Sequence, residues 1–237
     1  MIYRIKTMIL KWARKVKHFY IRPIRVFLFH QVSNDFDAAT MKAGDWTATD
    51  QFKHNIERLL EEYCFISLPN AHKKMRSDFF RFRKYAVLTS DDGWASLNNI
   101  LPWLSEKEIP VTLFLNPCYF DGRHFRDNET ERYLTYSDIN ALLQSFPEVS
   151  IASHGWEHVR ATEQNEEEFR SSVLTSVKVL KTFPNFVPFF AYTYGSYNEM
   201  TDRVLRGCGL IPVLIDKNKN WKDSAVIHRE LLDGMIL

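Results

Sequence analysis

The chain has 237 residues, 45% apolar and 25% charged, the make-up of one large globular domain or at most two. With 8 Gly and 9 Pro, and no apolar run near the roughly 20 residues that a bilayer-spanning helix requires, collagen-like, low-complexity and helical transmembrane proteins are excluded. The net charge of +2 conceals an asymmetry: eight of the 31 Lys and Arg lie in residues 1–25, which hold none of the 29 Asp and Glu, so the remainder is net acidic.

In residues 1–20, Ile2, Ile5, Ile9, Trp12, Val16 and Phe19 recur at spacings of three and four. That pattern makes a helix with one apolar face and cations on the others. Lys11, Arg14, Lys15 and Lys17 break the apolar run a secretory leader needs, so the expected location is cytoplasmic. The apolar stripe either packs on the domain or lies on an anionic membrane surface, at the inner membrane face; nucleic acid is not an expected partner. Residues 21–237 then form one domain. Cys64, Cys118 and Cys208 are odd in number and far apart, and read as reduced core residues.

Arg25 to Phe29 is an apolar strand ending at His30, and Thr49 or Asp50 opens a helix whose Phe52, Ile56, Leu59 and Leu60 share a face. Cys64 to Leu68 reads as strand, 72–84 as a solvated basic connection, and Tyr85 to Thr89 as a strand stopping at Ser90-Asp-Asp-Gly93. Helices follow over Asn98 to Lys107, Ser137 to Ser145, Glu166 to Leu180 and Met200 to Arg206. Strands fall at Val111 to Leu115, Val149 to Ala152, Val187 to Tyr192 and Leu210 to Ile215. Strands alternating with helices at this rhythm indicate a parallel sheet or barrel. Asp91, Asp92, His154 and the 193–197 loop all follow the C-terminal ends of such strands, where βα loops converge.

In His154-Gly-Trp-Glu-His158, histidines at i and i+4 on a first helical turn point the same way and can reach one divalent metal. The plainer alternative is a surface helix carrying two unconnected histidines. A third, oxygen ligand from Asp91-Asp92 would complete an open site, one carboxylate facing the ion while its neighbour accepts a proton. An Asp-Asp-Gly turn that only caps the next helix is the competing reading.

Thr89-Ser-Asp-Asp-Gly-Trp94 resembles the Thr-Phe-Asp-Asp-Gly motif of polysaccharide deacetylases, carbohydrate esterase family four. His154 to His158 resembles their His-Ser/Thr-x-x-His motif, and Tyr192-Thr-Tyr-Gly-Ser-Tyr-Asn198 their Tyr-Pro-Tyr-Gly-Ser-Tyr-Asn motif. Phe27 to His30, Gln51 to Leu68 and Ile109 to Phe114 are similar to further family segments, so the resemblance spans roughly residues 25–230. It implies a distorted TIM-like (β/α) barrel of about seven parallel strands and a hydrolase removing acetyl groups from N-acetylated amino sugars of a polysaccharide, oligosaccharide or lipid-linked glycan. By position, Asp91 is implied as general base and Asp92, His154 and His158 as metal ligands. The backbone N–H of Tyr194 is implied as an oxyanion donor. Two His and one Asp favour zinc.

Two departures stand out. Ala191 and Thr193 replace the arginine and proline of the third motif, and Arg229 is the expected substitute for that arginine, orienting Asp91. The general acid matches Leu-x-His only loosely at Val226-Ile-His228. His228 is the candidate acid, and it equally fits the proline position of an Ile-Pro-Arg segment. His30 faces the expected site, either orienting substrate or hydrogen-bonded in the barrel mouth, and Trp94 and Trp156 either stack on sugar or pack under the loops. Two other functions compete: a catalytically impaired sugar-binding relative, and an inverted-zincin metallopeptidase built on His154-x-x-Glu157-His158 with Glu230 as a distant third ligand. The peptidase reading wants the interior of a helix and leaves Asp91-Asp92 unexplained.

Overall fold

The computed structural model describes residues 22–34, 46–77, 83–122, 132–216, 218–221 and 224–232. The helix expected over residues 1–20 lies outside them. In chain order come β1 (Arg25–Phe29), β2 (Gln31–Val32), β3 (Trp46–Thr47), α1 (Thr49–Leu60), β4 (Cys64–Phe65), α2 (Leu68–Ser77), β5 (Tyr85–Asp92) and α3 (Leu97–Glu106). They are followed by β6 (Val111–Leu115), α4 (Tyr136–Ser145), β7 (Ser150–Ser153), α5 (Glu166–Leu180), β8 (Phe186–Ala191), α6 (Glu199–Gly207), β9 (Ile211–Ile215) and β10 (Ile227–Leu231).

β1 pairs with β5 on one side and β10 on the other, and β5 through β10 pair in sequence, every ladder parallel, so seven strands close into a barrel. This is the expected (β/α) architecture. β4 extends the edge of β5 at Tyr85 and Ala86, just before β6 takes over that edge at Leu88.

Alternation along each strand divides the core. Val26, Val87, Phe114, Ala152, Ala191, Val213 and Ile227, one from each barrel strand, form a single buried cluster, which locates them inside the barrel. Leu68, Ala71 and Met75 of α2 join that cluster and close the N-terminal pole. The alternate residues Phe27, Leu88, Leu113 and Ile151 face outward under α1, α3 and α4, while Phe190 and Leu214 pack under α5 and α6.

Four local expectations are corrected. The strand at Cys64 ends at Phe65 and Leu68 opens a helix, because residues 68, 71 and 75 share a face that plugs the barrel floor. α2 thus takes up the first part of the stretch read as a basic connection. β5 runs on through Asp92, since Asp91 and Asp92 stay in register with Phe114 and Leu115; ladder pairing overrides the poor strand propensity of aspartate. β10 was not anticipated as a strand, and Cys64 is exposed rather than in the core. Helix α5 begins with a capping box in which Asn165 Oδ1 accepts the Glu167 and Glu168 N–H groups and Glu168 accepts that of Asn165, matching the expected start.

Candidate active site

The same alternation aims the polar groups. Asp91 lies four residues beyond Val87, His154 two beyond Ala152 and Arg229 two beyond Ile227, so all three inherit the inward direction at the C-terminal ends of their strands. Arg229, 0% exposed, grips Asp91, 1% exposed, through two parallel bonds: Nη1 to Oδ1 at 2.6 Å and Nη2 to Oδ2 at 2.7 Å. Nη1 also donates to Thr89 Oγ1 at 3.3 Å, and the guanidinium lies 5.0 Å from the centre of the Phe114 ring. Burial alone would raise the Asp91 carboxyl, but the charge of Arg229, with His154 and His30, holds it below the ordinary aspartate value.

Asp92 adopts a left-handed backbone conformation (φ 71°), followed by Gly93 at φ 81°, which turns its side chain out of the ladder toward the histidines. Its Oδ2 accepts from Trp94 Nε1 at 3.2 Å, while Oδ1 stands 3.4 Å from His154 Nε2 and 3.3 Å from His158 Nε2. His154 Nδ1 bonds the Ala191 carbonyl at 2.8 Å; a carbonyl only accepts, so Nδ1 carries a proton and Nε2 is the ring atom that faces Asp92. Burial lowers the His158 imidazole below its usual value, against the pull of Asp92.

These groups fit a cation. Asp92, His154 and His158 each offer a ligand atom within 4.8 Å of the others. Nitrogen and oxygen ligands about 2.0–2.1 Å from a tetrahedral zinc ion stand about 3.3–3.4 Å apart, the separation of Asp92 Oδ1 from each imidazole here. The buried Asp92 Oδ1 has no hydrogen-bond donor among the described residues, and the bond from His154 Nδ1 to a carbonyl is the outer support that metal-ligating histidines use.

The two histidines meet without the expected helical turn. Residues 154–158 are an irregular loop, held by Asn116, whose Nδ2 donates to the carbonyls of His154 (2.7 Å) and Gly155 (3.4 Å). Asn116, at the end of β6, was missed in the sequence; its placement after a strand is the signal that marks the other site residues. Gly155 has φ 94°, and a Cβ there would sit 3.2 Å from the Glu157 carbonyl oxygen. Gly155→Ala is therefore expected to cost about 1–3 kcal/mol and to displace His158, seen as a lower melting temperature together with weakened metal binding.

Tyr194, at φ 56°, lies on the turn after β8, its ring 4.5 Å from that of His158 and under the Arg160 guanidinium at 4.3 Å. His30 follows β1, four residues beyond the inward Val26, and so shares the inward direction of the other site residues. Trp94 is buried, stacked on Tyr133 at 4.3 Å, with Trp156 against the same aromatic group, so packing is the role the structure shows for Trp94.

His228 is not brought to this cluster. It is one residue from the inward Arg229 on β10, so it points to the other face, where Nδ1 bonds Asp216 Oδ2 at 2.8 Å. Glu230 likewise faces away and holds Arg25 at 2.6 Å, which removes it as a ligand partner for His154 and His158. Glu157 is exposed.

A closed parallel barrel whose ionisable groups gather at the C-terminal pole of its strands is the architecture of a barrel enzyme. Residues 81–213 match the family model for polysaccharide deacetylases, over half of the chain. The protein belongs to that family of carbohydrate-deacetylating hydrolases. Its fold is similar to that of IcaB from Ammonifex degensii (TM-score 0.72, 18% identity, covering 90% of this chain and 92% of that one). It is also similar to the BpsB deacetylase domain from Bordetella bronchiseptica (0.67, 20%, 89% and 96%) and to the Streptococcus pyogenes deacetylase PplD in complex with acetate (0.72, 17%, 90% and 93%). No curated protein matches the sequence.

Proposed function

We propose that the protein removes acetyl groups from N-acetylated amino sugars in a polysaccharide, oligosaccharide or lipid-linked glycan, with a divalent cation, zinc, held by Asp92, His154 and His158. The observation that carries this reading is the convergence of Asp92 Oδ1 with two imidazole Nε2 atoms beside a second carboxylate, Asp91, that an arginine keeps ionised. When bound, the cation supplies Lewis acidity that polarises the acetyl carbonyl and makes water more acidic.

The chain's own groups divide the remaining work. Asp91 stands 3.9 Å from His154 Nε2, close enough to the ligand set to accept a proton from an attacking water, and Arg229 fixes both of its oxygens in position. The Tyr194 N–H stabilises the oxyanion. The leaving amine needs a proton, and His30 is the histidine placed to donate it, since it follows β1 four residues beyond the inward Val26 whereas His228 is turned to Asp216. His30→Gln is expected to lower kcat by about 10²-fold or more, and His228→Gln to leave it within a few-fold. The reverse order in a steady-state assay would restore His228 as the acid.

Ala191 leaves no arginine on β8, which motivates the impaired-relative alternative; Arg229 supplies that charge from β10 and supports activity instead. The peptidase alternative loses its helix and its glutamates. Acetate release from short N-acetylglucosamine oligomers, abolished by chelator and restored by zinc, tests the proposal. Metal binding without acetate release from any acetylated sugar would favour the binding role, and peptide cleavage lost on Glu157→Gln would favour the peptidase.

A further inference from the structure

A cavity of about 550 Å³ opens on the outer flank of the barrel, beside the outward-facing Arg25 and Glu230. Arg22, Arg25, Lys84 and Lys219 line it, with Tyr63 and Glu230. Glu230 neutralises Arg25, and Glu62 pairs with Lys84. Among the described residues no carboxylate lies within ion-pair distance of Arg22 or Lys219, so these two cations have no described counter-ion.

The two segments that carry those cations are tied together by Asn220. The Ile24 N–H donates to the Asn220 carbonyl at 3.1 Å, and Asn220 Nδ2 donates to the carbonyls of Ile24 (3.1 Å) and His228 (2.6 Å). This ties the segment that carries Arg22 to the loop that carries Lys219. Tyr63 adds a hydroxyl, 3.5 Å from Arg25 Nη1, that can donate to an anion.

We infer that this cavity is a phosphate site, taking a phosphate mono- or diester of a small polar group. Guanidinium and ammonium groups with a nearby hydroxyl match three acceptor oxygens on one compact anion, and the volume leaves room for the rest of a head group. Arg25 is level with Ala86 on β5, and Asp91 lies five residues further along that strand. The two sites are therefore about 16–17 Å apart measured along the strand, and this one is independent of the hydrolase reading. Arg22 is preceded in the sequence by Arg4, Lys6, Lys11, Arg14, Lys15 and Lys17 with no acidic residue.

The test uses the full chain and two probes, glycerol 3-phosphate followed by calorimetry and phosphatidylglycerol vesicles followed by co-sedimentation, with phosphatidylcholine vesicles as blank. The double variant R22Q/K219Q is expected to weaken binding by about tenfold or more, while K178Q/K181Q, two exposed lysines elsewhere, leaves it unchanged. An unaltered melting temperature of R22Q/K219Q shows that its fold is intact, and its acetate release reports on the other site separately. Loss confined to the soluble ester or to the vesicles identifies the source of the phosphate. Binding of neither probe, or equal binding by R22Q/K219Q and the parent chain, overturns the assignment.

Discussion

Arg229→Ala is expected to destabilise the protein by about 3–5 kcal/mol, because it strands the buried Asp91 carboxylate without its cation. For a domain of this size that is a fall in melting temperature of about 10 °C. The same variant should lose far more turnover than metal affinity, since Arg229 touches Asp91 and Thr89 but none of Asp92, His154 and His158. Equal losses of both, measured by acetate release and zinc competition, would contradict an orienting role. Arg229→Lys recovers a charge but not the two-point grip, and should fall between. The folded Asp91 carboxyl is held below its unfolded value, so the unfolded chain takes up the proton first as pH falls. The pair's stabilisation is complete above the ordinary aspartate value of about 4 and is lost as pH falls through the lower folded value. Removing Arg229 leaves burial to lift the carboxyl, so the acid limb of the pH–rate profile should move to higher pH.

The adjacent aspartates should separate cleanly when each is replaced. Asp92→Ala removes the oxygen that stands 3.3–3.4 Å from both imidazoles, so zinc affinity should fall by more than about 100-fold and activity with it. Asp91→Asn keeps the side chain's shape and leaves the His154–His158–Asp92 set intact. Zinc content should hold, while kcat falls by about 10²–10⁴-fold. It also weakens the partner of a buried arginine, so the comparison belongs well below the melting temperature. Loss of zinc from Asp91→Asn, or retention of zinc by Asp92→Ala, would reverse the assignment of ligand and base.

Gly93 and Gly155 show how local backbone serves these roles. Each takes a positive φ where the chain leaves its strand direction, directly after Asp92 in the first case and directly after His154 in the second. The glycines were visible in the motifs. What they do there, turning Asp92 Oδ1 and the 154–158 loop toward one point, is a property of backbone angles that composition does not carry.

The closed barrel was implied by the family resemblance alone; the sequence by itself determined the alternation of strands and helices and the three motifs at strand ends. These follow from apolar periodicity and from side chains whose chemistry is strong enough to be read one residue at a time. Tertiary structure decided between the late residues expected at the site, keeping Arg229 and turning His228 away. His228, Arg229 and Glu230 are neighbours in the chain with equally suggestive side chains, and only the inward parity of β10, set by Ile227 packing inside the barrel, sends Arg229 to Asp91 and turns the other two away. Parity depends on which face a strand buries, and that depends on the strands beside it, 138 positions distant in the case of Asp91 and Arg229.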